Sequence, residues 1–158
     1  MNYKTLFKST DVTRVGLIGT GAFGKSFLAQ SRLTPGIRVV VVCDQEIETA
    51  EDACIQAGLA PEDLKVCHIA SEANDTIASG KTAVISDALL MMDMPIEVVV
   101  EATGMPEVGS IHARSAIENG KHVVMVTKES DCVVASLLSY CLPYFRYLFA
   151  SPFSSRLR

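Results

Sequence analysis

The fold is decided by residues 14–27, RVGLIGTGAFGKSF. The stretch opens with an apolar run that predicts a buried strand and continues with a helical pattern over 22–33. Between the two, Gly19, Gly21 and Gly24 follow the spacing GxGxxG. This spacing is typical of a strand–turn–helix unit that binds a dinucleotide, although three glycines in ordinary turns are the alternative reading.

Each glycine has a physical role in such a unit. Gly19 ends the strand where the chain must turn tightly, and Gly21 lacks a Cβ, so a diphosphate can approach the backbone. A side chain at Gly24 would push the helix and the strand apart. Because the N–H groups and the dipole of a helix N-terminus attract a diphosphate, we predict cofactor contacts along the whole turn, at Gly19, Thr20, Gly21, Ala22, Phe23 and Gly24.

An acidic residue supports the dinucleotide interpretation. Asp44 closes the second predicted strand 20 residues after Gly24, where a carboxylate would accept hydrogen bonds from the adenosine ribose. Its charge would repel a 2′-phosphate by roughly 1–4 kcal/mol per unit charge, so the cofactor is NAD or NADP, with NAD favoured. Arg32 or Arg38 would weaken that preference by folding back towards the ribose. The alternative role of Asp44 is a strand-end cap.

Composition restricts the class of protein. The 158 residues are 49% hydrophobic with a net charge of −4, which allows a core and argues against nucleic acid as a partner. Five cysteines without a CxxC pair predict reduced thiols, a cytoplasmic location and no metal site. The apolar stretch 132–150 is broken by Pro143 and Arg146, which argues against a membrane span. His68, His112 and His122 lack metal-ligand spacing, so we expect them at the surface or at strand ends.

Strand-like runs alternate with helical patterns along the chain. Residues 37–43, IRVVVVC, are apolar nearly throughout, as expected of a strand that is buried on both faces. Ser86 is expected to cap the short helix 87–93, whose methionines we expect to pack in the core. The alternation predicts an α/β fold with a doubly wound parallel sheet and helices on both faces. The predicted strands are 14–19, 37–43, 65–69, 82–86, 97–102 and 122–127, and the predicted helices are 22–33, 47–57, 71–79, 87–93 and 106–119.

Two further stretches lie at carboxyl ends of predicted strands, the edge where such sheets bind ligands. In 98–104, VVVEATG, the small residues Ala102, Thr103 and Gly104 would let the nicotinamide half lie against the backbone. In 124–130, VMVTKES, Lys128 would contact the cofactor by projecting over the nicotinamide, and it would polarise or protonate a substrate carbonyl as hydride arrives. A solvated surface lysine is the alternative.

Together, VGLIGTGAFG, VVVVCD, VVVEATG and HVVMVTKE resemble, in order and spacing, the NAD(P)-binding Rossmann domain of homoserine dehydrogenases. The long segment between Asp44 and Glu97, with TKESD at the end of the predicted strand 122–127, is most similar to relatives that carry a SAF domain, including the enzymes similar to deoxyxylulose-phosphate reductoisomerase. The resemblance implies a diphosphate at the three glycines, ribose at Asp44 and catalysis at Lys128. Homoserine dehydrogenases usually have Asn-Lys where this chain has Thr127-Lys128, which argues against homoserine as the substrate.

The resemblance covers about residues 12–134, which we predict to be the cofactor domain after an N-terminal extension at 1–11. Residues 135–158 form an atypical apolar tail without βαβ rhythm, so the chain is expected to be truncated before a substrate domain. The predicted function is hydride transfer between NAD(P) and a small hydroxy or oxo substrate, with a homo-oligomer possible. The alternatives are a dinucleotide-binding module and a truncated remnant without catalytic activity.

Overall fold

The computed structural model describes residues 12–127 and 147–149. Its strands, in chain order, are β1 (Thr13–Ile18), β2 (Ile37–Cys43), β3 (Leu64–Val66), β4 (Thr82–Ile85), β5 (Val98–Glu101), β6 (His122–Met125) and β7 (Tyr147–Phe149). Its α-helices are α1 (Ala22–Ser31), α2 (Ile47–Gln56), α3 (Ala70–Ala78) and α4 (Pro106–Glu118). Two 3-10 helices, Pro61–Asp63 and Ala88–Asp93, lie in connections.

All strand pairs are parallel, and the order across the sheet is β3-β4-β2-β1-β5-β6-β7. From β1 the chain adds β2 on one side, then β3 at the edge of the sheet, and then β4 between β2 and β3. It then crosses back, so that β5 pairs with the other side of β1. The strand order therefore reverses between β1 and β5, and such a reversal leaves a crevice at the carboxyl ends of the strands.

Helices cover both faces of the sheet. On one face α1 and α2 pack on a cluster that includes Leu17, Leu28 and Val42. On the other face α3, α4 and the 3-10 helix Ala88–Asp93 pack on a second cluster. The last five residues of β2, VVVVC, are all buried, which explains why this part of the strand is apolar throughout. The predicted doubly wound parallel sheet is confirmed.

The predicted elements differ from the structure mainly in the middle of the chain. Strand β3 ends at Val66, three residues before the predicted end. The segment predicted as a helix at 87–93 is a 3-10 helix, and its cap is Asp87, whose side chain accepts a hydrogen bond from the Leu89 N–H. The prediction of Ser86 as the cap is wrong, because the carboxylate one residue later reaches the free N–H.

The methionines in this 3-10 helix and directly after it are core residues, as predicted. Met91, Met92 and Met94 are all buried, at 0%, 5% and 1% exposure. All three belong to the core cluster on this face of the sheet, where Met91 lies directly over Gly16 of β1. Packing by flexible side chains suits an irregular helix with little regular surface of its own.

Most of the predicted tail lies outside the described residues. The exception is β7, which adds a parallel strand beside β6 with Val124 opposite Leu148. The prediction of an atypical apolar tail at 135–158 stays a prediction. None of the helices in the described part of the chain combines the length and the hydropathy needed to cross a membrane.

Candidate functional site

A cleft of about 330 Å³ opens at the reversal point of the sheet. It is bounded by the residues that follow β1, β2, β4 and β5, and by the N-terminal half of α4. Six of the predicted site residues meet there although they come from three separate stretches of sequence. They are Gly19, Thr20, Gly21, Asp44, Ala102 and Thr103.

Gly19 fixes the turn at the floor of the cleft. Its φ of +93° is a left-handed conformation that favours glycine. A Cβ there would lie 2.7 Å from the carbonyl oxygen of Ala102, so the turn packs directly on the chain that follows β5. The Gly19 N–H donates to the Cys43 carbonyl at 2.8 Å, which ties the turn to the end of β2.

Gly21 and Gly24 differ in their surroundings. A Cβ at Gly24 would lie 2.1 Å from the Gly19 carbonyl oxygen, whereas a Cβ at Gly21 would meet nothing within 4 Å. Gly24 therefore allows α1 to approach β1 closely, and Gly21 presents bare backbone to the cleft. Helix α1 begins directly after Gly21 without a side-chain cap or an acidic residue in its first turn. Its first N–H groups and its positive dipole end remain for an anion.

Asp44 is held at the cleft by the glycine turn itself. Its Oδ2 accepts hydrogen bonds from the Thr20 N–H at 2.8 Å and from the Thr20 hydroxyl at 2.5 Å. Its Oδ1 makes only a long contact, 3.5 Å, with the Glu46 N–H. An ionised carboxylate offers about four acceptor positions, so Asp44 can still accept from a ribose hydroxyl. Thr20 is 1% exposed and orients the carboxylate.

The two arginines that would have weakened a preference for NAD are remote from Asp44. Arg38 lies at the start of β2, whereas Asp44 follows its end. The Arg38 guanidinium donates to the Gly80 carbonyl oxygen, and Arg32 lies beside Gly58. Both arginines line a separate cleft at the opposite edge of the sheet.

Sequence reasoning missed Gln45, Ser86 and Asp87 on the wall beside Asp44. The signal was available for Asp87, an acidic residue shortly after an apolar run, as Asp44 is. The sequence alone does not place Asp87 next to Asp44, because that requires β4 to pair with β2. The structure shows this pairing, with Cys43 opposite Ile85. Both carboxylates act on Cys43, whose thiol pKa is raised to about 12 by burial, then by Asp44 and Asp87. Cys43 is therefore a protonated core thiol.

A buried carboxylate organises the chain after β5. Glu101 is 0% exposed, and its Oε1 accepts hydrogen bonds from the N–H and the hydroxyl of Thr103, at 3.1 and 2.5 Å. Burial works to raise the pKa of Glu101, but His112, Thr103 and Thr127 together hold it below its usual range. Thr127 also accepts from the Gly104 N–H at 3.0 Å, which ties this loop to the end of β6.

His112 contradicts the expectation of a surface or strand-end histidine. It lies on α4 with a side chain only 12% exposed and borders the cleft. Its Nδ1 is 3.8 Å from Glu101 Oε1, which is within ion-pair reach but too long for a hydrogen bond. His112 is the seventh residue of α4 and belongs to no sequence motif. Its contact with Glu101 therefore becomes apparent only from the packing of α4 on β5. Within the described residues, no group of three or more side chains suits a metal ion.

Four other predicted residues in the described part of the chain, Ala22, Phe23, Gly24 and Gly104, do not border the cleft. Ala22 and Phe23 are exposed at the start of α1, and Phe23 stacks on Phe27 with the ring centres 6.3 Å apart. Gly24 lies beneath the turn, and Gly104 has open space around it with a φ of +72°. Lys128 lies outside the described residues.

The reversal of strand order, the glycine turn and the carboxylate after β2 define a dinucleotide-binding α/β domain. A profile of an oxidoreductase family with an NAD-binding Rossmann fold matches residues 13–126. The chain therefore belongs to this family, GFO/IDH/MocA. No curated protein sequence matches the chain at a significant level.

Solved dehydrogenase structures share the fold. Myo-inositol dehydrogenase from Lactobacillus casei, solved with NAD(H) and myo-inositol, is 24% identical with a TM-score of 0.52 over 72% of this chain and 28% of its own. Apo scyllo-inositol dehydrogenase from the same organism is 12% identical with a TM-score of 0.60, covering 90% and 37%. Homoserine dehydrogenase from S. aureus is 16% identical with a TM-score of 0.55, covering 88% and 32%. The chain thus spans about a third of the length of these enzymes.

Proposed function

We propose that the cleft binds the adenosine and diphosphate half of NAD, and that the chain is the cofactor-binding part of a dehydrogenase. The observation that carries this proposal is the joint placement of Gly21 and Asp44. Gly21 leaves space for a diphosphate at the start of α1, and Asp44 is oriented by Thr20 with acceptor capacity left for a ribose. The residues present therefore fit the cofactor that the family uses.

NAD is the proposed form of the cofactor. The Asp44 and Asp87 carboxylates line one cleft, and each would repel the extra phosphate of NADP. The arginines nearest in sequence, Arg32 and Arg38, line the opposite edge. Within the described residues, no arginine lines the cleft that could form an ion pair with a 2′-phosphate.

A thermal-shift titration of the purified chain with NAD and with NADP tests this proposal. A ligand present at 100 times its dissociation constant stabilises the folded state by about 2.7 kcal/mol. We expect the midpoint to rise by several degrees with NAD and less with NADP at the same concentration. Asp44→Asn, which keeps an acceptor for Thr20, should narrow the difference between the two cofactors. Equal shifts in the unmodified chain would contradict the assignment of NAD.

The chemistry proposed for the assembled site is hydride transfer to or from a small hydroxy or oxo substrate. When bound, the nicotinamide supplies the hydride chemistry, and the protein supplies orientation and charge. The proposed proton donor or electrophile is Lys128. It follows two residues after Val126, and the Val126 N–H donates to the Glu101 carbonyl at 2.9 Å, at the carboxyl ends of β5 and β6. The homoserine-dehydrogenase-like subgroup remains part of this proposal.

Turnover is tested by following NADH formation with myo-inositol, scyllo-inositol and homoserine, the compounds named for the similar structures. Lys128→Met should abolish turnover of any active substrate while leaving the NAD-induced thermal shift unchanged. Full activity of Lys128→Met would contradict its proposed role. A thermal shift without turnover on any compound would favour the second candidate, a dinucleotide-binding module.

A further inference from the structure

Two buried polar atoms, one on a residue that lines the cleft and one on a buried residue in contact with it, have no hydrogen-bond partner in the described part of the chain. They are Glu101 Oε2 and His112 Nδ1. The two side chains face each other, with Nδ1 3.8 Å from Oε1 of the same carboxylate. Leaving a buried polar group unpaired is unfavourable, so the occurrence of two such atoms in one pair of side chains points to a role in binding.

A carboxylate beside the ring favours a proton on one histidine nitrogen over the other. Thr103 donates to Oε1 from both its N–H and its hydroxyl, and these bonds favour the ionised form of Glu101. An ionised acceptor next to Nδ1 favours a proton on that nitrogen, and the proton on one ring nitrogen sets the role of the other. Nδ1 is fully buried, so Nε2 is the nitrogen through which the ring can meet a ligand in the cleft.

We infer that Glu101 orients His112 so that Nε2 accepts a hydrogen bond from an N–H or O–H group in the adenosine half of the bound dinucleotide. The inference rests on the proposed function. It assigns the adenosine half because His112 shares one cleft with Asp44 and Asp87. Glu101 is then a positioning residue, and His112 is a residue that contacts the cofactor.

The contacts of the loop after β5 connect the Glu101–His112 pair to the glycine turn. Glu101 holds Thr103, and Thr103 packs on Gly19, whose Cβ position would lie 2.8 Å from the Thr103 nitrogen. The carboxylate therefore links α4, through His112, to the glycine turn that faces the diphosphate. A change at Glu101 should reach the cofactor without any direct contact between them.

Nitrogen NMR of the chain labelled at its histidine rings tests the inference. We expect the spectrum of His112 to show a protonated Nδ1 and an unprotonated Nε2, with Nε2 shifting on addition of NAD or ADP-ribose. Nicotinamide mononucleotide, which lacks the adenosine half, should leave Nε2 unmoved. Glu101→Gln should remove the preference for a proton on Nδ1 and weaken NAD binding.

Two substitutions of His112 separate its two nitrogens. A glutamine amide reaches the position of Nε2, whereas an asparagine amide reaches only that of Nδ1. We expect His112→Asn to weaken NAD binding by about three- to tenfold, the equivalent of one hydrogen bond, and His112→Gln to retain most of the affinity. Glu97→Gln at the other end of β5 and His122→Gln at the start of β6 are matched controls that should bind NAD normally.

The possible failures are distinguishable. Absence of any NAD-induced thermal shift in the unmodified chain would overturn the proposed function itself. A normal thermal shift with an unmoved Nε2 resonance, or an unchanged proton position in Glu101→Gln, would overturn only the inference about His112. If the His112 variants do not fold, the NMR titration of the unmodified chain decides alone.

Discussion

Single residues of the glycine turn have separable duties, although all belong to one motif. Gly24 faces backbone, because an added Cβ would lie 2.1 Å from the Gly19 carbonyl oxygen. Gly21 faces open space and has an ordinary φ of −63°. Stability should therefore depend on Gly24 and cofactor affinity on Gly21, which allows the architecture and the binding of the turn to be tested independently.

Gly24→Ala should destabilise the fold. The added Cβ is attached to the backbone of α1 and would meet the backbone oxygen of Gly19, so neither atom can move aside alone. Helix α1 must therefore move away from β1, and overpacking of this kind costs typically about 1–3 kcal/mol. The free energy of unfolding, measured by urea titration, checks this expectation. A variant as stable as the unmodified chain would show that α1 can shift freely and would contradict the role of Gly24 in packing.

Gly21→Ala should have the opposite pattern. The methyl group meets no atom within 4 Å, so the urea midpoint should hardly change. The same methyl group would occupy the space through which a diphosphate approaches the backbone, and we expect NAD binding to weaken by roughly tenfold, about 1.4 kcal/mol. Calorimetric titration with NAD measures this loss. Unaltered affinity would mean that the diphosphate does not lie at Gly21.

At the scale of elements, the strands that flank the reversal point are tied at both ends. At the carboxyl ends, the Ala102 N–H donates to Ile18 of β1 at 2.8 Å. At the amino ends, Glu97 accepts from the Arg14 guanidinium at 2.6 Å and from the Arg14 N–H at 2.6 Å. The second tie fixes the register of β5 against β1 and lies far from the cleft.

The Arg14–Glu97 pair should make stability depend on pH. Partial burial acts to raise the pKa of Glu97, but the hydrogen bonds and the charge of Arg14 hold it below its usual range. A carboxyl whose pKa is lower in the folded state stabilises the fold above its unfolded pKa, about 4.3, and this stabilisation is lost as pH falls through the folded value. Because both side chains are over 40% exposed, the contribution should be below about 1 kcal/mol.

Thermal midpoints of the unmodified chain and of Glu97→Gln, compared between neutral and acidic pH, check this expectation. The unmodified chain should be slightly more stable near neutrality, and the difference should vanish in acid. High salt should also reduce the difference, because exposed pairs are screened. A difference that grows as pH falls would show that the sign is wrong.

The 3-10 helix Ala88–Asp93 packs on β1 through Met91, whose side chain occupies the space that a side chain at Gly16 would need. An added Cβ at Gly16 would lie 2.3 Å from Met91 Sδ and 2.8 Å from Ile96 Cδ1. Met91→Ala should cost about 2–5 kcal/mol through the cavity it leaves. Gly16→Ala added to that variant should cost less than in the unmodified chain, because the sulfur is gone. Unfolding free energies of the four chains give the coupling, and strict additivity would contradict this contact.

At the scale of the whole molecule, the sequence predicts what depends on neighbours in the chain. The strand–turn–helix unit at Gly19, the buried strand 37–43 and the alternation that gives a parallel sheet all follow from local periodicity. The strand order does not follow from local periodicity, because β3 and β4 are apolar runs of similar length and either of them could lie next to β2. The structure places β4 beside β2 and β3 at the edge.

The candidate site shows the same division. Gly19, Gly21 and Asp44 are recognisable from spacing, since a turn and a strand end place them. Asp87 and His112 are not, because they reach the cleft only through the pairing of β4 with β2 and the packing of α4 on β5. Glu101 was visible at the end of a strand, but its burial and its contact with His112 depend on tertiary packing.

The central claim, that NAD binds at the reversal point of the sheet, is tested most directly by an amide NMR titration of the nitrogen-labelled chain with NAD. We expect the largest shifts at Gly19, Thr20 and Gly21, with further shifts at Asp44 and Thr103. Amides at the opposite edge, such as Arg38 and Gly80, should stay unmoved. Shifts concentrated at that opposite edge, or saturable binding without any shift in the glycine turn, would contradict the claim.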